Sequence, residues 1–520
     1  MNLRNLVVVA GVFLIKALLS SHPHSGQSSP PMFGDYEAQR HWMEVTVNLP
    51  VSEWYHNTTK NDLQYWGLDY PPLTAYHSWI MGQAALRVNP GFVTLHESRG
   101  REDEAHRTFM RSSVLVADIL VWIPAVAIFA QVFNGHNVND ASATTAFILL
   151  YPGLMLIDNG HFQYNNVSLG FFVLAVALLA KHMNVLGSIL FCLALNYKQM
   201  ELYHALPFFF YLLGLCWKER SLGKLVAIAI TVVATMVVVW LPFLSSVESA
   251  LQVVHRIFPF ARGVFEDKVA NFWCTLNILV KIKTLLPIST MATASLTTTF
   301  ALSMVSNLHL LSKPTIRNFL ISLVNTSIVF YLFSFQVHEK SILLVAIPVG
   351  LFVCGAGRFN EGGNYFGRHS SIVSVWFTVI STFSMFPLLV RDGLALPAVS
   401  LTVFYVFGCA STGFLDPVAG VLQASSVTAG LRRSPRNLVQ PVEKPDWRDD
   451  VVYNTFVASL LGCVGLIVAF FTTTPPPSLP DLYTVLISAY SAMHFLCFLI
   501  YFHYIQITAH HEVTVEKKTN

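Results

Sequence analysis

Residues 223–244 read GKLVAIAITVVATMVVVWLPFL, with a single charge, Lys224, near the start. A helix needs about 20 predominantly apolar residues to cross the ~30 Å hydrocarbon core of a bilayer, and a run of this length and purity is read as a membrane span. The whole chain agrees with that reading. Of its 520 residues 54% are hydrophobic and 12% charged, about half the charge of an ordinary soluble domain.

Working outward, comparable runs lie near 5–20, 113–133, 144–157, 167–181, 184–197 and 202–217 before it. Others follow near 289–311, 317–335, 341–355, 371–390, 396–414, 452–472 and 482–503. The count of about 14 predicts an all-α polytopic membrane protein, one domain over 1–520. The first run has no small-residue cleavage site before SSHPHSG and is read as an uncleaved span.

Charge orients the spans. Cytoplasmic loops are enriched in Lys and Arg, and the loops 217–224, 357–370 and 431–450 fall on one side together with the tail 504–520. That parity requires the interrupted stretch 271–287 not to cross, so 255–287 is read as lumenal or re-entrant, and 415–450 as a flexible cytoplasmic loop. The opposite, lumenal face receives the first loop 21–112 and the segments 158–166, 196–204, 255–268 and 335–341. The net charge of +3 lies in short interhelical clusters, a topology signal and not a nucleic-acid surface. Seven cysteines, spread singly without CxxC or Cys/His metal spacing, argue against a disulfide framework or a zinc site.

The lumenal segments carry most of the unusual polar clusters. In GDYEAQRHWMEVTVNL (34–49), Ala38, Trp42, Val45 and Leu49 follow helical spacing, with Glu37/His41 and Arg40/Glu44 as i,i+4 pairs. This predicts a helix lying in the membrane interface. Asp35 at its start is either a helix cap or a carboxylate presented for chemistry. In GLDYPPLTAYH (67–77), Asp69 precedes a helix opened by Pro72, and is either a helix-start device or a partner of Asp35. DNGHFQYNN (158–166) crowds His161, Gln163, Tyr164 and Asn165 between two spans, which suits a solvated turn or a hydroxyl-rich ligand. Arg256, Arg262, Lys268, His338 and Lys340 sit among aromatic residues on the same side, suited to phospholipid contact or to a lipid-linked phosphate.

Those strings, with SRGREDEAHRTFMR, RIFPFARGVFEDKVANFW, FSFQVHEKSILL and PDLYTVLISAY, resemble in order, over nearly the whole chain, one family. It is the dolichyl-phosphate-glucose-dependent α-1,3-glucosyltransferase family of the endoplasmic reticulum. The resemblance implies a C-class glycosyltransferase fold with about 14 transmembrane helices and a long first lumenal loop containing interfacial helices. It implies inverting transfer of glucose from dolichyl phosphoglucose to the terminal mannose of Man9GlcNAc2-PP-dolichol, with Asp35 as general base and neither metal nor cofactor. It also places Asp69 at the acceptor, Glu37, Arg40, His161, Gln163, Tyr164 and Asn165 among the substrate-binding residues, and Arg256, Arg262, Lys268, His338 and Lys340 toward phosphate. DYEAQRHW favours the branch adding the first glucose; the sister branch adding the second is the alternative. The ending EKKTN, with Lys517 and Lys518, resembles a dilysine retrieval signal, which must face the cytosol. A polytopic lipid transporter is the rival of another class, but no fixed-period repeat and no matched broken helices support it. Lys16 in the first span is expected to snorkel or to touch the donor lipid.

Overall fold

The computed structural model describes residues 3–135, 137–258, 268–357, 366–415 and 447–516. Every apolar run singled out above falls on a helix or a pair of helices. Among the described residues six helices are long and apolar enough to cross a bilayer, or seven with one bent pair counted as a span. The protein is an all-α, multi-pass membrane protein. Helices suit this solvent because they satisfy their own backbone groups where no water is available.

Two helices mark the extremes of position. Leu222–Phe243 turns Ile230, Val233 and Val238 outward, as a lipid-facing helix must. Ile316–Phe333 is buried almost throughout, and Leu202–Lys218, Ile288–Ser312, Leu343–Phe352 and Leu482–Glu516 surround it. Its neighbours meet through polar groups as well as apolar ones: Gln506 accepts hydrogen bonds from Ser306 Oγ and Asn325 Nδ2, both at 2.7 Å. Such bonds between helices are the usual glue where lipid removes the hydrophobic drive.

α1 (Leu3–Leu19) is joined by a loop to α2 (Gly34–Asn48); α3 (Pro72–Val88) and α4 (Glu104–Asn134) follow. Lys16 of α1 does not snorkel. Its ammonium lies 2.5 Å from the Asp118 carboxylate of α4, and both side chains are fully buried. Asp118 opens a π-helical turn, Asp118–Trp122, and Asn159 Nδ2 donates to its second oxygen at 3.1 Å.

The expected span 144–157 is two helices, Val138–Leu149 and Pro152–Phe162, bent by 47°. Tyr151 explains the break: a residue preceding proline is pushed out of the α region, and its ψ is 114°. The second piece widens into a π turn over Leu156–Phe162, which carries the buried Asp158 and His161. The stretch 271–287 holds a nine-residue helix, Phe272–Val280, stopped by a left-handed Lys281 at φ 51°, too short to cross.

α2, expected to lie in the membrane interface, is covered by protein on its polar face as well. Tyr36 to Thr46 are all buried, because the chain after it folds over its polar face. Arg40 donates to Glu37 at 2.6 Å, to Glu44 at 2.6 Å and to Ser98 Oγ at 2.5 Å, while His96 N and Tyr65 Oη close on the same carboxylates. The expected Arg40/Glu44 pair forms, while Glu37 pairs with Arg40 and not with His41, which approaches Glu44 at 3.5 Å.

Candidate active site

The start of α2 is fixed by backbone packing. Gly34 has φ +70°, and a Cβ there would meet Ser25 Oγ at 2.7 Å, so the 25–34 loop closes on itself only with glycine at this point. Ser25 Oγ then accepts the Asp35 amide at 3.2 Å, and Ser25 N donates to His161 O at 3.0 Å. One serine thus ties the helix start to the 158–166 segment. Arg111 adds a clamp, donating to Asn159 O at 2.7 Å and Gly160 O at 2.8 Å with one nitrogen and to His22 O at 3.0 Å with the other.

The Asp35 carboxylate receives three donors on Oδ2: His161 Nε2 at 3.0 Å, Gln163 Nε2 at 2.5 Å and Lys340 Nζ. Among the described residues none donates to Oδ1, and the side chain keeps 23% of its surface exposed. One oxygen is therefore locked, and the side chain as a whole stays partly exposed. Burial alone would push this carboxyl up, but the Lys340 ammonium and then His161 hold it well below the usual carboxylate range. The dipole of α2 acts in the same direction. The group is ionised at neutral pH.

A second cation stands nearby. Asp158 accepts from Asn165 Nδ2 and from Asn166 N, both at 2.7 Å, and Asn165 Oδ1 in turn accepts from Lys198 Nζ at 2.5 Å. Lys198 lies 5.2 Å over the Tyr70 ring, and burial, then the neighbouring Lys340, pull its ammonium down to about 8. Tyr70 is held protonated first by burial and then by Asp69, Asp35 and Asp158, so these acids share one neighbourhood.

Of the residues singled out in the sequence, Asp35, His161, Gln163 and Lys340 touch directly, and Asn165 joins them through Lys198. Asp69 is half-buried beside Tyr70, its carbonyl accepting from Gln199 Nε2 at 3.2 Å. Arg256 donates to Gly67 O at 2.8 Å and Leu68 O at 3.1 Å, which braces the loop before Asp69. Glu37 and Arg40 are spent on each other inside the first loop, and Tyr164 is turned away to Ser113 Oγ at 2.5 Å. Lys268 pairs with Asp481, away from the carboxylate, and borders a cavity of about 350 Å³ with Lys283 and Ser488. His338 is exposed two residues before Lys340, and Arg262 lies outside the described residues. The sequence reading missed Lys198, although it lies within the lumenal cluster NYKQMELYH, and Asp392, which sits in an ordinary-looking Arg-Asp-Gly turn.

An ionised carboxylate with one open oxygen, beside two ammonium groups and a histidine, can take a proton from a hydroxyl while the cations receive a developing negative charge. The comparisons with known proteins point the same way. A model described as the ALG6, ALG8 glycosyltransferase family matches residues 12–501. The dolichyl pyrophosphate Man9GlcNAc2 alpha-1,3-glucosyltransferase of Rattus norvegicus is 45% identical over 502 residues, 95% of this chain and 95% of that protein. Its namesake in Gallus gallus is 44% identical over 505 residues, 96% of each chain. A probable enzyme of the same name in Drosophila melanogaster is 41% identical over 505 residues, 95% of this chain and 97% of that one.

Proposed function

Because the chain belongs to the ALG6, ALG8 glycosyltransferase family, we propose that it transfers glucose from dolichyl β-phosphoglucose to the terminal α-1,2-mannose of Man9GlcNAc2-PP-dolichol. The new linkage is α-1,3, formed with inversion in the assembly of the lipid-linked oligosaccharide for protein N-glycosylation. The observation that carries this reading is the Asp35 carboxylate, its Oδ2 held by three donors and its Oδ1 open.

In this scheme the mannose 3-hydroxyl donates to Asp35 Oδ1 and its oxygen attacks the anomeric carbon from the face opposite the phosphate. The glucose–phosphate bond breaks, the proton passes to Asp35, and dolichyl phosphate leaves with one more negative charge. Phosphate is a weak base and departs without a general acid; Lys340, Lys198 and His161 supply the positive charge it needs. No metal or cofactor is required by this scheme. Both substrates are lipid-borne, which is why a sugar transferase is built of membrane spans. The Lys- and Arg-rich loops, which fall on the face opposite the Asp35 and His161 segments, support an endoplasmic reticulum protein with a lumenal site and a cytoplasmic tail.

The deciding experiment offers the purified protein dolichyl phosphoglucose with lipid-linked Man9GlcNAc2 or Glc1Man9GlcNAc2. Extension of the first acceptor is the expected result, and extension of the second alone would reassign the protein to the sister reaction.

The depressed carboxyl makes a pH prediction. Asp35 works ionised, so activity is lost as pH falls through its folded-state pKa, which lies below the usual value of about 3.9. The acid side of the kcat/KM profile is expected to stay flat down to about pH 4. Lys340→Gln removes the strongest cationic influence, so the acid limb of that variant moves upward. An unmoved limb would show that another group controls it.

A further inference from the structure

His161 is a ring held between two acids. Its Nε2 faces Asp35 Oδ2 at 3.0 Å, and its Nδ1 lies 2.5 Å from Asp392 Oδ2. Ionised carboxylates only accept, so the two acids together favour a proton on each ring nitrogen; against burial and the Lys340 ammonium, their bonds hold the ring above the usual imidazole value. Asp392 sits in a turn, yet its side chain is only 4% exposed.

The turn that carries it is docked with care. Asp392 follows the short helix Phe386–Arg391, and Gly393, at φ +73°, reverses the chain toward Leu394. Leu394 is fully buried against Gly160, where an added Cβ would meet its Cδ1 at 2.8 Å. The residue before His161 is thus small enough for the 392 turn to reach the ring. A purely structural ion pair requires no such alignment with the second nitrogen of a histidine that already serves another carboxylate.

The need for the second acid follows from Lys340, whose Nζ is 3.2 Å from His161 Nε2 as well as bonded to Asp35. A neutral imidazole without a proton on Nε2 would accept from Lys340 and draw it off the carboxylate. With Asp392 on Nδ1 the ring stays doubly protonated, so His161 and Lys340 both donate to Asp35 Oδ2 and Oδ1 remains for the substrate. The other charged or titratable groups around the ring are Arg111, clamped on the Asn159 and Gly160 carbonyls, Lys198, and His24 beside Ser25. None of them takes Nδ1 in place of Asp392.

We propose that Asp392 is a positioning residue for glucose transfer, fixing His161 as a two-proton donor so that only one oxygen of Asp35 is available to the sugar hydroxyl. The proposal rests on the reading of Asp35 as the base. Its test is steady-state transfer from dolichyl phosphoglucose to lipid-linked Man9GlcNAc2 by the purified full chain carrying Asp392→Asn, Asp392→Glu, His161→Ala, or His161→Ala with Asp392→Asn. Asp392→Asn is expected to lower kcat about 10- to 10²-fold with KM for both lipids within about 2-fold, and Asp392→Glu to recover part of the loss. Acting through His161, it should cost nothing further in the His161→Ala background, whereas a structural role would multiply the two losses. Multiplied losses, a kcat within about 2-fold of wild type, or an Asp392→Asn chain that does not fold would each overturn the proposal. Wild-type protein inactive on both acceptors would instead remove the reading on which it stands.

Discussion

Asp35→Asn is expected to lower the rate of glucose transfer by about 10²- to 10⁴-fold, the span over which a positioned base contributes. The substitution keeps the size of the side chain and its place at the start of α2. Asparagine still accepts the bonds of Gln163 and Lys340 through its oxygen, so the loss is one of proton affinity and not of architecture. A helix N-terminus favours a carboxylate by only about 0.3–1 kcal/mol, and the lost charge assistance of these contacts is partly offset by relief of burial. The variant should therefore be recovered folded, with a thermal midpoint near that of wild type. A scaffold that merely retained the family's shape would be indifferent to this change, and so would a lipid transporter.

The largest effect on stability is expected at Lys16 and Asp118. The pair is fully buried at 2.5 Å, and it joins α1 to α4. Removing one partner leaves an uncompensated charge in the interior, at a cost of about 3–5 kcal/mol. Lys16→Met and Asp118→Leu should each unfold at markedly lower temperature in detergent. The double variant removes both charges together and should return most of the loss, because a buried pair is often no better than apolar residues of similar volume. Equal and additive losses would show that the two side chains act separately.

Much of this architecture is legible in the sequence because membrane spans announce themselves by length and polarity. The run 223–244 and its counterparts fall on helices, and the charge parity that kept 271–287 from crossing agrees with the short broken helix found there. What periodicity cannot show is what covers a helix. The spacing of Ala38, Trp42, Val45 and Leu49 gives one apolar seam, but the opposite face is buried by Tyr65, His96 and Ser98, which come from far along the loop. Glu37 and Arg40, placed by the resemblance among the substrate-binding residues, pair with each other and help hold the loop together. The break at Tyr151 has a sequence signal in the following proline, but the apolar run continues across it and hides the bend.

The site divides in the same way. Asp35, His161, Gln163 and Lys340 stood out as polar residues in short segments that topology placed on one face, and the fold brings them within bonding distance across 305 residues of chain. Asp392 carried no signal, since an acid before glycine at the end of an apolar run is ordinary turn composition. Its meaning comes from Leu394 packing on Gly160, a contact between distant segments that local patterning cannot contain. Lys198 is intermediate: its segment stood out, but its direction is set by Asn165, itself oriented by Asp158.

The claim that Asp35 takes the proton, and does not simply hold a substrate, is tested most directly by measuring binding and turnover on one preparation of Asp35→Asn. Affinity for dolichyl phosphoglucose should stay within about 3-fold of wild type while single-turnover transfer to lipid-linked Man9GlcNAc2 falls by at least about 10²-fold. Transfer at the wild-type rate, or a loss that merely follows weakened binding, would contradict the account.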